Sequence, residues 1–394
     1  MRDVVKMITI SRIGYYIFLY ALALLISLLI GEIFRRKHQS ETLAQILVGV
    51  LLGPYILGIL EVNEFFVFIS EIGALTLLFI AGLETDLKTI MRSGPVSFVL
   101  ASSSILFTFL LAFPLIYFLT KNVIIALFLS TTLGATSISL TVRIFDEFNK
   151  LKTPLAHTII ISAVFDDLLV MILAVLVLDM AYLGTFTIQG LARALSNLAV
   201  FFLVTLAFLF IFMKYIDDYI MRFHSKGAVL IFAFSFALLY GFFASLIGLS
   251  PIIGAYFAGV IIAESDIEND IIEYVSPIAF VTVPIFLVTI GLRFNLSIIH
   301  NVVFIGGLLS AIAILGKILS GFPANKLQGG SHINALVLGA SITPRGEVAL
   351  VLAGIGYEMR IINDLWFSSI VFVVMATTFI TPILLKYLLP RIPD

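Results

Sequence analysis

Apolar residues in this chain come in runs of about twenty, cut by short stretches of charge, glycine and proline. Coiled as α-helix, such a run matches the hydrocarbon thickness of a bilayer. The pattern predicts thirteen spans, over residues 14–34, 45–60, 65–83, 96–119, 122–144, 156–179, 191–213, 227–246, 250–263, 274–292, 299–322, 333–357 and 365–388. The second and ninth are short and rich in Gly and Pro. The first is too long for a secretory signal core and lacks a small-residue cleavage site, so it is expected to be retained.

Composition points the same way. Of 394 residues, 61% are hydrophobic and 12% charged, with a mean hydropathy of +1.17. A soluble domain carries about 25% charged residues, so this chain cannot cover a water-facing surface of its size. It reads as an all-α polytopic membrane protein, residues 1–394 forming one membrane domain without a soluble regulatory domain. A net charge of −1 and the lack of a basic tract argue against nucleic acid as a partner. There is no cysteine, the five histidines show no metal-ligand spacing, and no phosphate-cradling loop appears. No cofactor is expected.

Lys and Arg divide unevenly between alternate loops. One side holds fourteen, among them Arg35, Arg36, Lys37, Lys88, Arg92, Lys214, Arg222 and Lys386. The other holds seven, among them Arg2, Lys6, Lys121 and Arg293, while Lys317 and Arg345 fall inside spans. The positive-inside rule then sets the N-terminus outside and the C-terminus in the cytoplasm, as a multi-pass protein of the inner (cytoplasmic) membrane. The acidic loop Glu264–Glu273 is no objection, because acids weigh little in that rule.

With span 7 (191–213) as a linker, spans 1–6 and 8–13 form two sets of six with opposite orientation. The fifth member of each is interrupted, at Gly134–Ser139 in one and at Thr343–Glu347 in the other. Gly and Ser also let membrane helices pack closely. Interruptions in register, one carrying Pro344, Arg345 and Glu347, fit better with the broken helices of an inverted-repeat transporter.

The rarest feature is Asp166 beside Asp167, inside the apolar run Thr158–Leu178. An acid at membrane depth costs about 2.5–3.5 kcal/mol on insertion scales and ordinarily faces a bundle interior or a water-filled cavity. Neighbours on a helix point about 100° apart, so the two acids cannot share one partner. Lys317, in the apolar stretch Ile312–Leu319, is expected to pair with Asp166, leaving Asp167 to face the cavity. Two acids and one lysine leave a surplus negative charge that calls for a proton or a metal cation. Asp167, with Asp166, is therefore the expected Na+ and H+ site, at which the two ions compete. Thr136 and Ser137 in the first interruption, and Ser162 one turn before Asp166, are candidate oxygen ligands; Ser162 reads equally well as a packing residue. Arg345 and Glu347 are expected to pair with each other or with unwound backbone. Glu71 and Glu84 lie near the ends of span 3, where solvation is easy.

Several stretches taken together resemble the cation:proton antiporter superfamily, in its two-aspartate branch, that of the NapA-type sodium/proton antiporters. They are GVLLGPYILGIL (49–60), LLFIAGLETDL (77–87), ATSISLT (135–141), VFDDLL (164–169), GLSPIIGAYFAGV (248–260), PIFLVTIGLRFNL (284–296), LGKILS (315–320) and PRGEVALVLAGIG (344–356). The resemblance implies the NhaA-like antiporter fold, with two inverted six-helix repeats and crossed broken helices. It implies a homodimer, with a dimerisation part at 14–83 and 227–292, a linker helix at 191–213, and a mobile core at 96–179 and 299–388. It casts Asp167 as ion and proton carrier, Asp166 as its partner and Lys317 as counter-charge. It puts Thr136 and Ser137 at the unwound crossover, and Arg345 and Glu347 as a charged pair in the second broken helix.

Within the superfamily that the chain resembles, an acid before the carrier, here Asp166, implies an electrogenic exchanger, with about two H+ entering for each Na+ (or Li+) leaving. Asn at that position marks electroneutral relatives, and Gln marks glutathione-gated potassium efflux proteins. The latter usually carry a C-terminal nucleotide-binding domain, expected to be absent from a chain that ends at Asp394. The competing readings are a potassium/proton antiporter of the same fold and a cation channel lined by the same acids. Alternating access needs no covalent chemistry, so no enzyme activity is expected.

Overall fold

The computed structural model describes residues 12–36, 39–85, 94–150, 152–182, 188–211, 225–246, 250–263, 265 and 268–392. Among these the secondary structure is entirely helical. The helices are α1 (Arg12–Arg36), α2 (Glu41–Leu52), α3 (Glu64–Leu83), α4 (Pro95–Thr120), α5 (Val123–Gly134), α6 (Ser139–Glu147), α7 (Pro154–Tyr182) and α8 (Ile188–Ile211). They continue as α9 (Lys226–Leu246), α10 (Pro251–Ile262), α11 (Glu268–Leu292), α12 (Ile299–Gln328), α13 (His332–Ser341), α14 (Glu347–Glu358) and α15 (Asp364–Leu388). Eight are long and apolar enough to cross a bilayer: α1, α3, α4, α7, α9, α11, α12 and α15. The protein is thus an all-helical, polytopic membrane protein. Shorter apolar helices, including α2, α5, α10 and α13, accompany them.

The chain divides into two compact units, residues 1–74 with 278–294, and residues 75–277 with 295–394. In the first, Leu19 and Ala23 of α1 pack with Val48 and Leu52 of α2, Phe66 of α3, and Ile285 and Val288 of α11. The helices meet backbone to backbone. A Cβ on Gly49 would lie 2.0 Å from the Val288 carbonyl oxygen, and one on Gly291 would lie 2.1 Å from that of Ile46. Only glycine permits such an approach, the usual way for membrane helices to gain packing where lipid offers no hydrophobic drive.

The second unit holds both helix interruptions. Its largest contacts join α12 to α4 and α13, and α4 to α5. Glycine again sets the spacing: a Cβ on Gly316 of α12 would fall 2.7 Å from Thr108 Cα, and one on Gly339 of α13 would fall 2.5 Å from Ile318 Cα. Those approaches bracket Lys317 and fix its height against α4 and α13. Leu100, Phe145, Ile159, Val337, Leu338 and Leu385 of this unit pack in one apolar cluster.

The second predicted span differs from the structure. Helix α2 starts at Glu41 and stops at Leu52, and residues 53–60 form turns. Gly53 followed by Pro54 ends the helix, because proline disfavours helical backbone in the residue before it. Gly58, at φ +61°, takes a left-handed conformation in the turn that follows. Of the charges behind the orientation reading, Arg2, Lys6, Lys37, Lys88, Arg92, Lys214 and Arg222 lie outside the described residues, as do Glu264 and Asp266 of the acidic loop.

Candidate ion-binding site

Helix α5 begins under the Asn122 side chain, which accepts from Ile124 N and Ile125 N at 2.9 and 3.2 Å. It ends at Gly134, and residues 135–138 are unwound before α6 resumes at Ser139. A helix end leaves carbonyls without partners, and in a membrane each must be satisfied inside the protein. Two cations far away in the chain do this, one on α12 and one in the second interruption. Lys317 Nζ donates to Gly134 O at 2.6 Å, and Arg345 donates to Leu133 O from Nε at 3.1 Å and from Nη2 at 2.7 Å.

The second interruption lies between α13, ending at Ser341, and α14, starting at Glu347. Pro344 and Gly346 explain the missing helix between them. The two unwound segments touch where Ser137 N donates to Pro344 O at 2.8 Å, and beside them Thr141 Oγ1 of α6 donates to Ser341 O at the end of α13 at 2.6 Å. A Cβ on Gly346 would lie 2.6 Å from Ser137 Cβ, so only glycine fits that crossing.

Against this crossing Lys317 meets Asp166, with Nζ 3.2 Å from Oδ2; the lysine is 0% exposed and the aspartate 3%. Two hydroxyls bridge the pair. Ser104 Oγ accepts from Lys317 at 2.9 Å and lies 2.9 Å from Asp166 Oδ1; Thr136 Oγ1 accepts from Lys317 at 2.7 Å and donates to Asp166 Oδ2. A buried ion pair survives only when its remaining lone pairs and protons are bonded, and here they are.

Asp167 is placed differently. Its side chain is partly exposed, and its Oδ1 is buried without a hydrogen-bond partner. The charges close enough to act on it are Asp166, Glu347, Lys317 and Glu84. One acid is fully engaged, and its neighbour keeps an unused oxygen.

The remaining sequence candidates spread out. Ser162 is buried, but its hydroxyl bonds the Ile159 carbonyl of its own helix at 2.8 Å. Ser137 is brought in through its backbone N–H. The Arg345 guanidinium, 1% exposed, donates to the carbonyls of Leu133, Ala313 and Thr343. Glu347 opens α14, where the positive end of the helix dipole favours an acid. Sequence reading missed Ser104. Three consecutive serines, Ser102–Ser104, inside an otherwise apolar span were the available signal.

Crossed helix interruptions around a buried, hydroxyl-bridged ion pair are the construction of an ion-coupled membrane transporter. Comparison with known proteins supplies the family. The profile described as "Sodium/hydrogen exchanger, transmembrane" matches residues 20–390. The chain is 34% identical over 378 residues to the Na(+)/H(+)-K(+) antiporter GerN of Bacillus cereus, covering 94% of this chain and 96% of that one. It is 31% identical to a Na(+)/H(+) antiporter of Enterococcus hirae, over 94% of this chain and 97% of the relative. Among solved structures, the sodium proton antiporter MjNhaP1 of Methanocaldococcus jannaschii superposes with a TM-score of 0.73 at 18% identity, over 94% of this chain and 96% of that one. The chain belongs to the sodium/hydrogen exchanger family, within the cation:proton antiporter superfamily that its motifs resemble. Its relatives are secondary transporters, not enzymes.

Proposed function

We propose that this protein is an electrogenic sodium/proton antiporter, exporting Na+, and Li+ with it, for about two H+ per cycle. The observation that carries the reading is the unpartnered oxygen of Asp167 beside the sealed Lys317–Asp166 pair. Asp167 holds either H+ or the metal cation. Arrival of the cation draws Asp166 away from Lys317, and the lysine releases the second proton. Thr136 passes from bridging the pair to offering its oxygen, with Ser137 and Ser162 as further oxygens near the ion. Arg345 and Glu347 hold the second broken helix in shape.

With two H+ entering and one Na+ leaving, one net positive charge enters per cycle. That is worth about 2.3 kcal/mol per 100 mV, inside negative. At roughly 150 mV the electrical contribution is about 3.5 kcal/mol, enough to hold a sodium gradient of more than a hundredfold without a pH difference. A one-for-one exchanger has no access to it.

On this reading the described helices, with each pair of half-helices taken as one, make up thirteen spans in two inverted sets of six around α8. The core, 96–179 with 299–388, moves against a dimerisation part, 14–83 with 227–292, in a homodimer with its N-terminus outside and C-terminus inside. Proton flux in proteoliposomes, with Na+, Li+ or K+ added in turn, tests the reading. Na+ and Li+ should drive it and Asp167→Asn should abolish it; flux in that variant at the original rate would overturn the assignment. Transport currents on a supported membrane should vanish or reverse in Lys317→Gln or Asp166→Asn, and unchanged currents in both would contradict electrogenic coupling through the pair.

A second reading, in which K+ is also carried, is favoured by the name of the Bacillus cereus relative, which includes that ion. The K+ arm of the same flux measurement decides it.

A further inference from the structure

A charged lysine has three hydrogens to donate and no lone pair. The three shortest contacts of Lys317 Nζ are all to neutral oxygens: Gly134 O at 2.6 Å, Thr136 Oγ1 at 2.7 Å and Ser104 Oγ at 2.9 Å. The Asp166 oxygens stand farther off, at 3.2 and 3.4 Å. Asp166 therefore meets the ammonium chiefly through two hydroxyls, each of which accepts from the lysine and faces one carboxylate oxygen. A hydroxyl that donates to a carboxylate becomes a better acceptor itself. Asp166 thus strengthens the hold of both hydroxyls on the charged form of Lys317.

The two differ in what is open to them when the acid turns away. Thr136 lies in the unwound backbone of residues 135–138. Ser104 lies inside α4 and is 0% exposed. Its single hydrogen has two acceptors in reach, Asp166 Oδ1 at 2.9 Å and the Ala101 carbonyl of its own helix at 2.8 Å. Back-bonding of that kind is available to a serine in any helix. A turn about the Cβ–Oγ bond moves the hydrogen from one acceptor to the other and leaves no buried donor unmet. The oxygen itself is held in place. Ser103 beside it reaches Ser320 O of α12 at 3.3 Å, and Gly316 brings α12 against Thr108, one turn further along α4.

We propose that Ser104 is a positioning residue that switches the hold on the Lys317 proton. With its hydrogen on Asp166 it keeps the lysine charged; with its hydrogen on Ala101 O it frees the acid to meet the cation and the lysine to discharge. The idea rests on the proposed cycle, in which Lys317 supplies the second H+. In that step the N–H bond breaks, the electron pair stays on Nζ and the proton passes to the aqueous side. The other charges acting on Lys317 are Arg345 and Asp167. Helices α4 and α5 bring no Asp, Glu, Lys, Arg or His to it, and α12, α13 and α15 carry theirs, Lys317 apart, only near helix ends.

The test is the charge moved per Na+ across a pH series, from transport current and radioactive sodium flux of the full-length protein in the same proteoliposomes. That ratio falls towards zero once the pH is high enough to keep Lys317 neutral throughout the cycle. Ser104→Ala removes an acceptor from the charged lysine and should bring the fall on about one pH unit earlier. This is a roughly tenfold loss of proton affinity, the lower end for one bond to a charged group. Ser104→Thr, which keeps the hydroxyl, should restore the parent's profile. An unmoved fall in Ser104→Ala would overturn the proposal, as would a Ser104→Thr that behaves like it. So would a rate lowered at every pH with the ratio intact, the mark of a packing role. Should Ser104→Ala not fold, Ser104→Cys, a poorer acceptor of similar size, replaces it with a shift in the same direction expected. Should Ser104→Thr not fold, the alanine variant decides alone. Lys317→Gln run alongside separates the two readings. Undiminished charge per Na+ there sinks the lysine as proton source, whereas lost charge there beside a parent-like Ser104→Ala sinks only the role of Ser104.

Discussion

The two helix interruptions solve one problem by opposite means. Where α5 stops, the chain supplies only small residues, and the carbonyls of Leu133 and Gly134, freed at the helix end, are met by cations from α12 and from the second interruption. Where α13 stops, the chain carries its own arginine, and hydroxyls do the rest: Thr141 bonds Ser341 O, Thr378 bonds Arg345 O, and Thr377 accepts from Arg345 N. The first interruption depends on borrowed charge and is thereby tied to the state of Lys317. The second is held by neutral hydroxyls from α6 and α15 and makes no bond to Lys317. A change in the Lys317–Asp166 pair reaches the end of α5 directly, through Gly134 O, and the α13–α14 turn only through Arg345 on Leu133 O and Pro344 on Ser137.

Breaking the borrowed charge should have the largest effect. Lys317→Ala leaves Asp166 buried without its cation, and loss of one partner of such a pair costs about 3–5 kcal/mol. The thermal midpoint in detergent should fall sharply, and Lys317→Ala combined with Asp166→Ala should recover much of the loss. If the single variant is as stable as the parent, the contrast between the interruptions is wrong. Next comes the point where the two touch. Gly346→Ala pushes a methyl to 2.6 Å from Ser137 Cβ, and overpacking of this kind costs about 1–3 kcal/mol. Hydrogen exchange should rise around both 135–138 and 342–346 in this variant, and a rise at one site only would mean that they are not coupled. The smallest effect tests the side held by hydroxyls. Thr141→Val keeps the shape but removes the hydroxyl from Ser341 O, for about 1 kcal/mol, with transport rates close to the parent's. A loss of exchange as deep as in Lys317→Ala would show that the second interruption is no more independent than the first.

Much of the site was legible because charge inside apolar runs is so scarce. Asp166, Asp167, Lys317 and Arg345 stand out on sight, and Gly134–Ser139 and Thr343–Glu347 announce themselves by composition. What could not be read is which distant atoms meet. The bonds from Asp166 to Ser104 and to Lys317 span 62 and 151 positions, and nothing in the local sequence of a serine triplet says which member turns inward. Nor does the composition of Arg345 and Glu347 reveal that the guanidinium seeks carbonyls at the end of α5. The glycine contacts of α2 with α11 were hidden for the same reason, since a glycine in a membrane helix looks identical whether a backbone passes beside it or lipid does. The turn at Gly53–Pro54 was within reach, because proline disfavours helix in the residue before it, but the apolar residues on both sides of it made 45–60 look like one span.

The strap between Ser137 and Pro344, doubled by Thr141 on Ser341, has a mechanical corollary. Stretched from either terminus by a cantilever, the molecule should surrender both crossing loops in a single force peak, because neither can peel away while its twin is still seated. The same crossing means that a ribosome must deliver nearly the whole polypeptide before Asp166 and Asp167 find their final surroundings, because Pro344 and Ser341 are made long after Ser137 and Thr141.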